Sequence, residues 1–179
     1  IMADSNFKSA LIKARILHEE KVEHPKLIEL QKIIEDEVKK NINARIMVFN
    51  QYRDNALDIA GKLNNIQNVS ARIFVGQQKK GETGLSQKGQ KQMINDFRNG
   101  LFNVLVATSI GEEGLDIPKV DLVVFYEPIP SAIRSIQRRG RTGRQEKGRV
   151  IILMAKSTRD EAYRWVAHHK EKKMYRNLS

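Results

Sequence analysis

The sequence predicts an α/β fold: a parallel sheet flanked by helices, with a helical extension ahead of it. Three observations lead there. Five short apolar runs stand at 45–49, 71–75, 103–108, 122–126 and 149–154. Several of them are continuous rather than alternating, as strands buried on both faces should be. Between the runs lie segments whose apolar residues recur at helical spacing, and strands that alternate with helices build a parallel sheet.

The elements follow in order. Phe7, Ala10, Leu11, Ala14 and Leu17 mark one face of a first helix. Charged residues then lead to His24-Pro25, where the proline suits a helix's first turn because its missing N–H has no partner there. Leu27, Ile28, Leu30, Ile33, Ile34 and Val38 form the apolar side of a second helix. The first strand pattern comes next, then a helix on Ala56, Ile59, Ala60, Leu63 and Ile66. After the second strand, Ser86 suits an N-cap for a helix carrying Met93, Ile94 and Phe97, and Gly89 stands where a Glu would complete a capping box. Ala132, Ile133 and Ile136 mark a further helix, and 158–172 a last one. Right-handed crossovers put every strand's C-terminal end on one edge, where ligands of such sheets bind. The loops to search are therefore 50–53, 76–85, 108–118 and 127–131.

A chain of 179 residues predicts one domain that folds without staples. It has no cysteine, which excludes a disulfide scaffold, zinc fingers, thiol catalysis and iron–sulfur ligation and fits a reducing, cytoplasmic compartment. No apolar stretch approaches the roughly 20 residues of a membrane span, and the first residues do not spell a signal pattern. Lys and Arg outnumber Asp and Glu by 32 to 21, a net charge of +11 that suits a polyanionic partner if it is clustered.

It is clustered. From Arg134 to Arg149 there are seven basic residues and one acidic one, Glu146, and Gly140 and Gly143 interrupt the arginines. Glycine lets a backbone turn tightly and a large ligand approach. Arginine offers a planar, permanent charge matched to phosphate oxygens. Gln137–Arg144 thus suits a polyphosphate, with Arg141 and Arg144 projecting onto it; the plainer reading is a solvated basic loop. A second signal, Ala107–Pro118, begins where a strand ends. Thr108 and Ser109 offer hydroxyls, Gly111 and Gly114 expose backbone N–H groups, and Asp116 can accept from a ribose hydroxyl. The plainer reading of Asp116-Ile117-Pro118 is a turn. Gly84–Lys91 nearly spells a P-loop, but Gln90 and Lys91 follow the second glycine where Lys and Ser/Thr are required. Nor does an Asp-Glu pair close an apolar strand as a magnesium-binding motif would. The chain shows phosphate-directed arginines without its own site for ATP and magnesium.

This order of motifs resembles the second RecA-like domain of a superfamily-2 helicase. Met47–Arg53 resembles motif IV, Val106–Pro118 motif V and Gln137–Arg144 motif VI, and the similarity is strongest to the archaeal Hef family, related to FANCM. It covers residues 24–179, while residues 1–23 resemble the end of a helical insertion between two motor lobes. The resemblance implies ATP with Mg2+ held mainly by an N-terminal lobe of the same protein. Arg141 and Arg144 would be arginine fingers on the γ-phosphate, assisted by Gln137, and Gly114 and Asp116 would lie near the ribose. Asn50, Gln51, Arg53 and Thr108 match positions on the nucleic-acid backbone, with Ser109 beside Thr108; Gly76 and Gln77 would lie on the same edge. Motifs I and II are missing, so the expectation is half of a motor, acting on forked or branched DNA in repair and inactive alone. Related full-length proteins carry a nuclease domain.

Other readings remain open. Dicer-like and RIG-I-like RNA helicases share the layout. A non-catalytic nucleic-acid-binding module would use 134–149 and the basic tail Lys170, Lys172, Lys173 and Arg176. A metal-dependent nuclease would use Glu112, Glu113, Asp116 and Lys119, but adjacent glutamates on a loop more often point apart, and no metal site is expected. The histidines His18, His24, His168 and His169 lack ligand spacing and suit exposed helix positions. Trp165 and Tyr163 suit packing of the last helix.

Overall fold

The computed structural model describes residues 4–20, 22–74, 86–108, 118–128 and 148–161. In chain order they form α1 (Ser5–Glu19), α2 (Pro25–Lys40), β1 (Ile46–Phe49), α3 (Arg53–Leu63), β2 (Ala71–Phe74), α4 (Gln87–Asn99), β3 (Val104–Ala107), β4 (Leu122–Phe125) and β5 (Arg149–Ile152). The strands make one sheet in the order β2-β3-β1-β4-β5, parallel at every pairing. This is the RecA-like arrangement expected from the sequence. The helices expected around Ala132–Ile136 and at 158–172 lie outside the described residues, apart from the start of the latter.

Alternation along each strand divides the core in two. Ile46, Val48, Val104, Val106, Leu122 and Val124 face α2 and α3, meeting Leu30, Ile34, Ile59 and Leu63. Met47, Phe49, Leu105, Val123 and Phe125 point the other way, to Ile94 and Phe97 of α4 and to Phe102. Phe49 stacks on Phe125 with ring centroids 5.4 Å apart, and Phe97 meets Phe102 at the same distance. β1, β3 and β4 are buried at every position, which is why they read as unbroken apolar runs.

The caps explain where the helices begin and end. Pro25 opens α2, and the His24 Nδ1 accepts the Lys26 N–H at 3.1 Å, so His24 is an N-cap rather than a residue within a helix. The Ser86 hydroxyl accepts the Gly89 N–H at 3.1 Å and starts α4. Gly100 stops it in the left-handed region at φ 81°, donating to Asp96 and Phe97 carbonyls. α3 is different: its N-cap is Tyr52, which makes no side-chain capping bond.

Three apolar stretches fit less well than their patterns predict. On α1, Phe7, Leu11 and Leu17 remain 38 to 50% exposed, so its amphipathic face is real but uncovered among the described residues. Ile28 of α2 is also exposed, because Leu27, Leu30, Ile34 and Val38 already fill the side facing the sheet. β5, like β2, is an edge strand among the described residues, and Val150 and Ile152 are exposed although their partners Val123 and Phe125 are buried.

Candidate functional site

The C-terminal ends of the strands are level. Phe74, Ala107, Phe49 and Phe125 stand opposite one another across the sheet, with Ile152 beside Phe125. The residue after β1, β3, β4 and β5 then continues the ladder by one bond. The Thr108 N–H donates to Phe74 O at 3.2 Å, Asn50 to Ala107 O at 3.0 Å, Tyr126 to Phe49 O at 2.7 Å and Leu153 to Phe125 O at 2.8 Å. Neighbouring strands lie about 4.8 Å apart, so Thr108, Asn50, Tyr126 and Leu153 form a row with that spacing. The topology thus brings the starts of two loops singled out from the sequence, at 50 and 108, side by side.

Asn50 is 1% exposed. Its Nδ2 donates to the Tyr52 carbonyl, while its Oδ1 is buried with no hydrogen-bond partner among the described residues. The side chain therefore shapes the turn from below. Gln51 and Tyr52 are exposed, and Arg53, which the sequence placed in the loop, is half-buried as the first residue of α3. Thr108 is half-buried. Gly76, Gln77, Ser109, Gly114, Asp116, Gln137, Arg141 and Arg144 lie outside the described residues.

A group of residues that sequence reasoning did not single out supports this edge. Glu127 Oε2 accepts the Gln51 N–H at 3.0 Å, and the carboxylate also bonds the Asn55 side chain. Burial pushes the Glu127 carboxyl above the usual carboxylate range, opposed by the Gln51 N–H, by the Lys26 charge and by the Asn55 bond. Lys26, from the first turn of α2, donates to the Tyr126 carbonyl at 2.9 Å and to Asp160 Oδ2 at 2.8 Å, and its ammonium stands 4.9 Å from the centre of the Tyr126 ring. Burial alone would raise the Asp160 carboxyl, but the Ala155 N–H and Lys26 overcome it and hold it below its ordinary value. Burial raises the Tyr126 phenol to about 12, so it stays neutral. Only pairwise proximity in the fold reveals this group, since Lys26 and Asp160 are 134 positions apart.

Beside it opens a cleft of about 600 Å³ between the α1–α2 connection and α3. Glu23, Asp58 and Glu127 line it together with Lys26 and Lys62, and Lys62 is ion-paired with Glu23. That balance of charge does not suit a polyphosphate. Among the described residues, no three His, Asp or Glu side chains cluster as metal ligands, and no helix is long and apolar enough to cross a membrane.

Comparison with known proteins decides the family. The sequence profile of the helicase conserved C-terminal domain matches residues 25–146, from the start of α2 through the arginine-rich segment. The chain belongs to the helicase conserved C-terminal domain family. The crystal structure of the Pyrococcus furiosus Hef helicase domain superposes with a TM-score of 0.74 at 52% identity, covering 93% of this chain and 33% of that one. A Methanocaldococcus jannaschii protein named as an ATP-dependent RNA helicase is 43% identical over 178 residues, 99% of this chain and 22% of its own length. The ATP-dependent DNA helicase MPH1 of Coccidioides immitis is 41% identical over 179 residues, 91% of this chain and 16% of its own. This helicase C-terminal domain is thus of superfamily 2 and related to Hef, FANCM and Mph1. The chain spans about a fifth of the length of these curated relatives.

Proposed function

We propose that this helicase C-terminal domain is the second motor lobe of an ATP-dependent DNA helicase or translocase that works on forked or branched DNA. In this reading an N-terminal RecA-like lobe of the same protein holds most of the ATP and its Mg2+. Arg141 and Arg144, with Gln137, reach across the cleft between the lobes, and Gly114 and Asp116 approach the ribose. The 50–53 turn, the loop starting at Thr108 and Ser109, and Gly76 and Gln77 grip the phosphate backbone. An arginine finger contributes roughly 10³–10⁵ in rate by neutralising charge developed during phosphoryl transfer. Different contacts to ATP and ADP then bias the lobes between closed and open arrangements, and alternation of the two moves the grip along the strand.

The observation that supports it most directly is the level edge. It sets Asn50, where the turn after β1 begins, beside Thr108, the residue after β3, and both belong to segments that resemble helicase motifs. A grip made through backbone and phosphate tolerates any sequence and weakens steeply with salt.

The test uses the full-length protein that carries this lobe. ATP hydrolysis is measured with forked DNA, single-stranded DNA and duplex RNA. The expected result is stimulation chiefly by forked DNA, and at least a thousandfold loss of turnover in Arg141→Ala with strand binding largely kept. Turnover unchanged in Arg141→Ala refutes the finger role. A second reading, an RNA-helicase lobe, has one observation in its favour, the name of the M. jannaschii relative. Stimulation chiefly by duplex RNA would decide for it.

A further inference from the structure

Resting on the reading of the 50–53 turn as part of the nucleic-acid grip, we infer that Glu127 is a positioning residue for that grip: its carboxylate, carried by the neighbouring strand's exit, fixes the turn's backbone so that Gln51 and Tyr52 are presented ready-made.

The turn after β1 lacks a side-chain cap for the helix that follows. α3 begins at Arg53 behind Tyr52, whose side chain cannot cap a helix and makes no capping bond. A turn with an uncapped helix start and two exposed side chains is free to sample several arrangements, and a ligand that orders it loses affinity by the amount of that ordering. Here the ordering is done in advance. Asn50 holds the Tyr52 carbonyl from below. Glu127 holds the Gln51 N–H from the β4 side, at 3.0 Å, and the Asn55 side chain in the first turn of α3. The backbone is thus held at Gln51 and at Tyr52, and the helix start at Asn55. Tyr52, 55% exposed, and Gln51 are left facing solvent.

Glu127 can do this because it is itself held. Tyr126 continues the ladder from Phe49, and Lys26 fastens the Tyr126 carbonyl and stands near the carboxylate. The choice of an acid also has a consequence. A carboxylate repels phosphate, so at a backbone-gripping edge it is best tolerated when engaged by an N–H group, as this one is by that of Gln51. The property that matters is the acceptor oxygen and not the charge. Glutamine keeps an acceptor at that place, alanine removes it, and aspartate falls one methylene short.

The experiment measures ATP hydrolysis by the full-length protein against the concentration of forked DNA, for the natural protein, Glu127→Ala, Glu127→Gln and Glu127→Asp. Glu127→Ala is expected to raise the apparent KM for forked DNA about three- to tenfold, tenfold being about 1.4 kcal/mol. Its kcat should stay within about twofold, because the arginines are untouched. Glu127→Gln should restore the natural KM or lower it. Amide exchange over 50–55 should be faster in Glu127→Ala and not in Glu127→Gln. If Glu127→Ala does not fold, Glu127→Asp takes its place, with a KM increase in the same range. Natural KM values in both the alanine and aspartate proteins overturn the inference, and so does a glutamine variant as impaired as alanine. Those results leave the motor reading intact, because the natural protein still responds to forked DNA. A natural protein whose hydrolysis ignores every nucleic acid overturns both.

Discussion

Removing the Lys26 side-chain charge, as Lys26→Met, tests how the sheet edge is held. Lys26 and Asp160 meet at 2.8 Å with side chains 12% and 13% exposed, and the same ammonium bonds the Tyr126 carbonyl at 2.9 Å. Breaking a buried pair by removing one partner costs about 3–5 kcal/mol. This pair is slightly open to water, and Asp160 keeps the Ala155 N–H at 3.0 Å, so the lower end applies, about 3 kcal/mol. For a chain of this length that lowers Tm by about 6–12 °C. Asp160→Asn keeps an acceptor toward Ala155 and Lys26 and should cost about 1–2 kcal/mol. The double-mutant cycle, read by urea unfolding with unchanged m-values, should give a coupling of about 1.5–3 kcal/mol, the range of a hydrogen bond to a charged group.

The acid dependence carries a sign that can be checked. Asp160 titrates lower in the folded chain than in the unfolded one. Its contribution is therefore complete above the unfolded carboxylate value, about 3.9, and is lost as pH falls through the lower folded value. The coupling should be the same at about pH 7 and about pH 5 and fade only in stronger acid. A coupling under about 0.5 kcal/mol, the scale of an exposed pair, or one that already fades between those two pH values, would refute the reasoning.

Three further substitutions test the packing around the sheet. At Gly148, just before β5, an added Cβ would stand 2.5 Å from the Val120 carbonyl oxygen, and backbone cannot swing away as a side-chain tip can. Gly148→Ala should therefore destabilise by about 1–3 kcal/mol, measured as a lower urea midpoint; a midpoint within error of the natural chain contradicts the close approach. Phe97, fully buried and packed on Phe102, should cost about 3–5 kcal/mol as Phe97→Ala, whereas Ile28→Ala on the exposed side of α2 should stay within about 0.5 kcal/mol in the same measurement.

What the sequence makes legible follows from the range of the forces involved. Ile46–Phe49, Val104–Ala107 and Leu122–Phe125 are readable because burial on both faces demands an unbroken apolar run, a local property. Ser86 and Pro25 are readable because capping acts within a few residues. The arginine-glycine segment stands out because it concentrates unusual residues in one stretch, within the part of the chain that matches the family. Lys26, Glu127 and Asp160 carry no such mark. Each looks like an ordinary surface charge, and they acquire roles only when α2, the exit of β4 and the chain beyond β5 meet, across separations of 76 to 134 positions. The apolar face of α1 shows the opposite limit: its period is plain at Phe7, Leu11 and Leu17, but periodicity says that a face exists and not what covers it.

The bonds along the edge bear on how a motor lobe of this kind would transmit force. Each post-strand residue from Thr108 to Leu153 donates its N–H to the last carbonyl of a neighbouring strand, so the loop starts inherit the register of the sheet. Glu127 then ties the exit of β4 to the turn after β1, and Lys26 ties that exit to the residues beyond β5. Under the proposed reading, a pull applied to a phosphate at the 50–53 turn would be shared by β1, β4 and the segment holding Asp160, instead of being spent on bending one loop. Under the proposed reading this favours movement of the lobe as a rigid body, because sliding one grip past another would break several backbone bonds at once, each costing about 1 kcal/mol net and more if left unpaired. In that reading, loosening Glu127 would weaken the hold on the strand before it slows the chemistry, which the proposal assigns to Arg141 and Arg144.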